Sequence, residues 1–251
     1  MLQNRRIGLS QSGIQQAIKK FGHARYFSEF CDRAYKQVKH WDLVYSRWLG
    51  IPHSNKRTTV KPSGTVSLLA GATPGVHCTH SEFYLRTVRV SGSSEYIRPL
   101  LNAGYQIEYD VTDLDKLAKA TGKPKGSIPT DELTVDSEIP ANYNGSVVVY
   151  FPVKEKFFTQ SKHDISMWEQ LATIRELQDK WSDNSVSCTI TIQNDEGKSL
   201  QNAIEFYAAY VKTLSFLPLE NHSYLQAPYQ TITEEEYKNY REDLKKIRYK
   251  K

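Results

Sequence analysis

A β-branched run that ends in a proline, a glycine and small hydroxylated residues is the feature of this sequence best suited to chemistry. It reads Thr58-Thr59-Val60-Lys61-Pro62-Ser63-Gly64-Thr65-Val66-Ser67-Leu68-Leu69 and continues to Thr73-Pro74-Gly75-Val76-His77. The pattern predicts a strand, a sharp turn and the opening of a short helix. Pro62 has no N–H to give a sheet ladder, so the strand should stop there. Gly64 lets the backbone come close to a ligand. The amides of Ser63, Gly64, Thr65 and Val66 would then be unpaired donors at a helix start, where free N–H groups and the helix dipole favour an anion such as a phosphate. The same residues also suit an ordinary strand-turn-helix with a Ser/Thr cap. Local chemistry alone leaves both readings open.

The other reactive side chains point to less. Cys31, Cys78 and Cys188 are odd in number and never spaced C-x-x-C. That argues against a disulfide framework or a structural zinc site and fits a reduced compartment. Cys31 lies on an apolar helical stripe and reads as a small core thiol. His77, Cys78 and His80 crowd three donors into four residues. They lack the usual ligand spacing and have no evident fourth partner, so no metal is expected there.

Several elements must position the loop. Ser10-Gln11-Ser12-Gly13 followed by Ile14, Ala17 and Ile18 predicts a short amphipathic helix with a serine start. Phe27, Phe30/Cys31, Ala34, Val38, Trp41, Tyr45 and Trp48 predict one long helix with a single apolar face, ended by Gly50 and Pro52. Residues 56–61 and 84–90 read as strands, and 105–109 as another. Thr112 with Asp115 suggests a capped helix to Ala120. Gly122, Pro124, Gly126, Pro129, Pro140 and Gly145 make 121–145 a long irregular excursion. We take it to lie within one domain spanning 1–251.

Ser146-Val147-Val148-Val149-Tyr150-Phe151 is a strand of the kind buried on both faces. Ser166 with Glu169 opens a helix to Trp181. From Asn184 to Ile192 the chain alternates: Val186, Cys188, Ile190 and Ile192 on one side, Ser185, Ser187, Thr189 and Thr191 on the other. Such a strand suits a barrel with a polar interior, and equally a sheet with one wet face. Helices follow at about 199–214 and 233–247, the last with a Thr233/Glu236 capping box. Strands alternating with crossover helices predict an α/β fold with mostly parallel pairing.

The totals set bounds. At 251 residues the chain can bury a sizeable core, and its formal charge of +5 is mildly basic and scattered. That suits a phosphorylated substrate better than direct nucleic-acid binding. No apolar run is long enough to span a bilayer and no signal-peptide pattern is present, so a cytoplasmic protein without a membrane partner is expected.

The stretch 58–77 resembles the substrate-phosphate loop of ribonucleotide reductase large chains, most closely the monomeric, adenosylcobalamin-dependent class II ribonucleoside-triphosphate reductases. Further pieces in the family's order are Asn4-Arg5-Arg6-Ile7-Gly8-Leu9-Ser10 with Ser12-Gly13-Ile14, then Arg86-Thr87-Val88-Arg89 and Trp181-Ser182-Asp183-Asn184-Ser185-Val186-Ser187. The last are Leu214-Ser215-Phe216-Leu217-Pro218 and Gln226-Ala227-Pro228-Tyr229. The resemblance implies the second half of a ten-stranded α/β barrel. It assigns Ser63, Gly64, Thr65 and Val66 to substrate phosphate.

It also implies what is missing. The family's reaction, ribonucleotide to 2′-deoxyribonucleotide by radical chemistry, needs a radical cysteine in an Asn-Pro-Cys-Gly-Glu-like run, reducing cysteines, and usually a C-terminal Cys pair. None of these occurs here, so no catalytic residue is assigned to this chain. The resemblance implies a C-terminal component whose radical cysteine comes from a separate N-terminal chain, with an external dithiol as reductant. Two adjacent tyrosines relay the radical in reductases fed by a di-iron subunit. Ser215-Phe216 stands at their place, which favours adenosylcobalamin as the implied cofactor. The alternative is a non-catalytic nucleotide-binding or regulatory module derived from a reductase.

Overall fold

The computed structural model describes residues 4–64, 66–130, 133–136, 138–219 and 225–247. In chain order the elements are β1 (Arg6–Leu9), α1 (Ile14–Phe21), α2 (His23–Arg25), α3 (Ala34–Trp48), β2 (Lys56–Thr58) and α4 (Val66–Leu69). Then come β3 (Phe83–Ser91), α5 (Ile97–Asn102), β4 (Ile107–Tyr109), α6 (Leu114–Thr121) and β5 (Ser146–Lys154). The chain finishes with α7 (Met167–Lys180), β6 (Ile190–Ile192), α8 (Leu200–Tyr207), β7 (Phe216–Pro218), β8 (Tyr229–Thr231) and α9 (Glu234–Glu242). It divides into two compact units, Met1–Ser81 with Glu155–Glu220, and Glu82–Lys154 with Asn221–Lys251.

The first unit is built on parallel pairing. β1 pairs with β2, Val60 bridges to Val186, and β6 pairs with β7, all parallel. Helices supply the cover, as crossover connections require. The core joins Ile14, Phe27 and Cys31 to Val60 and Val76, the α7 residues Leu171, Ile174 and Leu177, and Val186, Ile190 and Ile192. The alternation expected over 184–192 is therefore seen in the packing: its apolar side enters this core, with Cys188 packed against it.

Two local expectations need correction. α1 starts after Gly13, in a left-handed conformation, with no side-chain cap, so serine does not open it. The long apolar helix runs through α2, a π-helical stretch Tyr26–Arg33 and α3, but its stripe is buried only in the first part. Trp41, Tyr45 and Trp48 stay exposed, Trp48 at 74%.

In the second unit the expectation of parallel neighbours fails. Its sheet has the order β4-β5-β3-β8, and every adjacent pair is antiparallel. The reason lies in the order of insertion. β3 and β4, joined by α5, do run the same way, as a helical crossover demands, but β5 returns between them and pairs with both. β5 is buried on both faces, which its continuous apolar run foretold. Val147 and Val149 pack with Ile97, Leu100 and Leu117, while Val148 and Tyr150 pack with Leu85, Ile232 and Tyr240.

Capping follows the sequence in part. Ser166 Oγ accepts the Glu169 N–H at 3.1 Å and opens α7. Thr233 and Glu236 form the full reciprocal box at α9. Ahead of α6 the cap is Asp110, which accepts the Thr112 N–H at 2.9 Å, rather than Thr112 itself. Among the described residues no helix is long and apolar enough to cross a membrane.

Candidate functional site

The turn after β2 is held from two sides, each by a different one of the sequence motifs. From the N-terminal motif, Ser10 Oγ accepts the Lys61 N–H at 3.0 Å, Gly13 N–H donates to Thr73 O at 2.8 Å, and Ile14 N–H reaches Gly75 O at 3.3 Å. From 181–187, Trp181 Nε1–H donates to Thr59 O at 2.9 Å, and Thr58 Oγ1 meets the Trp181 carbonyl. Asn184 Nδ2–H donates to Thr58 O at 2.8 Å, and Ser187 N–H donates to Val60 O at 2.8 Å.

Beneath this clamp lies a buried ion pair. Arg57 Nε stands 2.9 Å from Asp42 Oδ2, and the Arg57 N–H donates to Asp183 Oδ2 at 2.8 Å. Tyr35 O–H takes the other Asp183 oxygen at 2.8 Å. The Trp181–Ser187 motif thus fixes the strand that leads into the turn. The side chains of Trp181, Ser182, Asp183 and Asn184 are spent on structure.

The turn itself is open. A Cβ on Gly64 would meet nothing within 4 Å. Val66 and Leu69 of α4 are exposed at 71% and 90%. Among the described residues no acceptor takes the amides of Ser63, Gly64 or Val66. Ser63 Oγ accepts the Ser67 N–H at 3.0 Å, and Ser67 Oγ returns to the Ser63 carbonyl. The Ser63 hydroxyl is therefore used as a helix cap, with its own proton left to donate. Thr65, also expected to contact phosphate, lies outside the described residues.

The cysteines differ from reactive ones. Burial pushes the Cys31 thiol up to about 11 and those of Cys78 and Cys188 up to about 12. Thiolate chemistry needs the opposite shift. His77 is a structural residue: its Nε2 accepts the Thr189 N–H at 3.2 Å and its Nδ1 faces Pro74 O at 3.1 Å. Burial holds its pKa below the usual range against the pull of the Pro74 carbonyl.

In the second unit two more of the motifs prove to be each other's partners. Arg86 lies over the Tyr229 ring at 4.2 Å and donates to Pro228 O at 3.0 Å. Thr87 Oγ1–H donates to Ala227 O at 2.9 Å. Gln226, at a φ of 58°, accepts the Val111 N–H at 3.0 Å and donates to Tyr109 O at 2.9 Å. Arg89 Nε bonds the buried Asp110 at 2.8 Å.

Along its whole length, in an alignment of 256 positions, it is 38% identical to a Dictyostelium discoideum protein named probable adenosylcobalamin-dependent ribonucleoside-triphosphate reductase, covering 30% of that protein. It is 36% identical to the Euglena gracilis adenosylcobalamin-dependent ribonucleoside-triphosphate reductase, over 99% of this chain and 30% of the relative. A crystal structure of a B12-dependent (class II) ribonucleotide reductase superposes on 97% of the chain with a TM-score of 0.75 at 31% identity, using 34% of its own length. The chain is a relative of the class II ribonucleotide reductases. The family resemblance drawn from the motifs stands. This reductase-like chain spans about a third of the length of the relatives it matches. No protein-family model matches it.

One group of residues has no local signature in the sequence. Arg6, Lys56, Lys61 and Lys212 surround a cavity of about 570 Å3 beside β1 and β2. They come from three separate stretches, and only the pairing of β1 with β2 and the course of the chain after α8 bring them together.

Proposed function

We propose that this chain is the C-terminal component of a ribonucleoside-triphosphate (or diphosphate) reductase, holding the substrate's phosphates while a separate N-terminal chain supplies the radical cysteine. What carries this reading is the turn after β2, whose Ser63, Gly64 and Val66 amides have no acceptor among the described residues, at the place the family uses for substrate phosphate. Those amides, with Thr65, orient the nucleotide and do no bond chemistry, which is the positioning part of catalysis. The second half of a ten-stranded barrel remains our reading of the parallel pairs β1-β2, Val60-Val186 and β6-β7.

The partner is inferred from an unpartnered apolar surface. Ile7 and Leu9 of β1 and Trp41, Tyr45 and Leu49 along α3 wall an open groove of about 760 Å3. Exposed apolar surface on this scale marks an interaction site, and β1 presents a free strand edge. The occupant we assign is the part of a reductase corresponding to the other two thirds of the relatives' length.

The relatives' names carry adenosylcobalamin, and we extend that cofactor to the assembled enzyme. When bound it would supply the radical. Ser215 and Phe216 have no phenol to relay one. The Ser215 backbone carbonyl accepts the Ile190 N–H at 2.8 Å, and Phe216 packs on the core. The described residues make no seat for the corrin by themselves. The 760 Å3 groove is walled largely by apolar side chains, which do not match the ring's many amides. We therefore route no step through the cofactor in this chain.

The test is to mix the chain with a reductase N-terminal chain that carries the radical cysteine, adding adenosylcobalamin, dithiothreitol and ribonucleotide. Stable co-elution and deoxyribonucleotide formation are expected. Co-elution without reduction would favour a regulatory module, to which the absence of an activated thiol also points. Failure to associate would end the two-chain reading.

A further inference from the structure

Among the described residues, the cationic side chains around the cavity beside β1 and β2 make one hydrogen bond to the chain, from the Lys212 ammonium to the Asp183 carbonyl. Arg6 and Lys56 are register partners on adjacent parallel strands, so two like charges stand side by side. Lys61 and Lys212 line the same cavity of about 570 Å3. Among the described residues none of the four belongs to a salt bridge. Burial, and then the charge of Lys56, hold the Lys212 ammonium below its usual range against the pull of Asp183.

The one acid in the lining, Asp183, is already committed. Its oxygens take the Tyr35 O–H and the Arg57 N–H, each at 2.8 Å, and the Arg57 guanidinium lies 3.9 Å away. Counting the lining side chains, four cations less one carboxylate leave a formal +3 around one cavity. Thr59 in the same wall gives its hydroxyl proton to Ser185 O at 3.1 Å, which leaves its oxygen as an acceptor only. Three cationic side chains with no acceptor among the described residues, and a fourth held on the Asp183 carbonyl, face one space of this size and match an anion with several oxygens and more than one charge.

We propose that this cavity is an oligophosphate-binding site, distinct from the turn at Ser63–Val66. Free oligophosphate and the phosphate tail of a nucleotide share the chemistry it recognises. The inference does not rest on the function proposed above, because neither the amides of the turn nor a partner chain enters it.

The experiment is calorimetric titration of the chain with tripolyphosphate at fixed ionic strength. Lys56→Glu with Lys212→Glu should weaken binding by about tenfold or more, and the milder Lys56→Gln with Lys212→Gln should fall between that and wild type. Gly64→Asp, which alters only the turn, should leave this site intact. Lys20→Glu with Arg25→Glu, away from the cavity, should leave the affinity unchanged. Wild-type affinity in both cavity variants would overturn the proposal. So would loss of all binding in Gly64→Asp, or an equal loss in the remote pair, which would mark diffuse charge attraction. Parallel titrations with CTP and cytidine identify the source. Tighter binding of CTP than of tripolyphosphate marks a nucleotide tail, and equal binding marks the bare anion. Both support the site, whereas cytidine binding as well as CTP would overturn it.

Discussion

A Cβ on Gly75 would stand 2.9 Å from the carbonyl oxygen of Lys61. This contact joins the end of the β2 stretch to the segment that closes the turn, and the φ of 56° at Gly75 already favours glycine. Gly75→Ala should cost about 1–2 kcal/mol for the left-handed conformation, plus the displacement of Lys61. Urea unfolding measures the loss. Because the displacement moves the strand end, substrate affinity in the assembled enzyme should fall as well. A variant as stable as wild type would show that the turn tolerates a wider gap.

Gly64 is the opposite case. Its Cβ position is empty and its φ is not in the left-handed region. Gly64→Asp should therefore change stability by no more than about 0.5 kcal/mol. A carboxylate beside the free amides should repel phosphate, weakening substrate by about tenfold or more in the assembled enzyme. Unchanged affinity for the nucleotide would remove the phosphate assignment from this turn.

The buried Asp42–Arg57 pair sets the largest stability effect. Asp42→Ala leaves the guanidinium uncompensated and should cost about 3–5 kcal/mol. Cutting the exposed Lys36–Asp32 pair should cost about 0.3–0.5 kcal/mol. Burial pushes the Asp42 carboxyl up, but the hydrogen bonds from Ser54 and the contact with Arg57 prevail and hold it below its usual range. Its contribution is thus present above the ordinary carboxylate value and is lost as pH falls through the lower folded value. Denaturant midpoints followed from about pH 5 down to about pH 2.5, with and without Asp42, check the sign.

His77 gives a second pH dependence. Its Nε2 accepts the Thr189 N–H, so a proton there would face another donor. With its folded pKa lowered by burial, the unfolded chain binds the proton first. Stability should therefore fall as pH drops below about 6.5, levelling off below the folded pKa. Comparing wild type with His77→Gln between about pH 7.5 and 5.5 should show a shallower decline in the variant. Parallel curves would mean that His77 is not the group responsible.

The sequence made the elements with strong periodicity readable. α7, the doubly buried β5 and the alternation before β6 declared themselves by local pattern, and the family motifs marked where the turn lies. What local pattern could not carry was pairing between distant stretches. That β5 slots between β3 and β4 depends on a return of the chain over many residues, which no window contains. The same holds for Trp181–Asn184, which look like a chemical motif: Trp181 and Asn184 turn out to brace Thr59 and Thr58, and Asp183 to hold Arg57 and Tyr35. The unburied half of the α3 stripe was missed for a related reason: helical spacing shows which face is apolar, not whether anything covers it.

The hydrogen bonds from Trp181, Asp183 and Asn184 to Thr58 and Thr59 span more than 120 residues of chain. During synthesis the turn at Ser63 leaves the ribosome long before its clamp does, and all of β3 to β5 is made in the interval. Contacts so far apart form slowly, because a large loop must close before they are rewarded. The β3–β5 and β4–β5 pairings lie within 83–154 and have all their residues early, whereas the clamp on the turn waits for residues 181–187 and the β3 edge for β8.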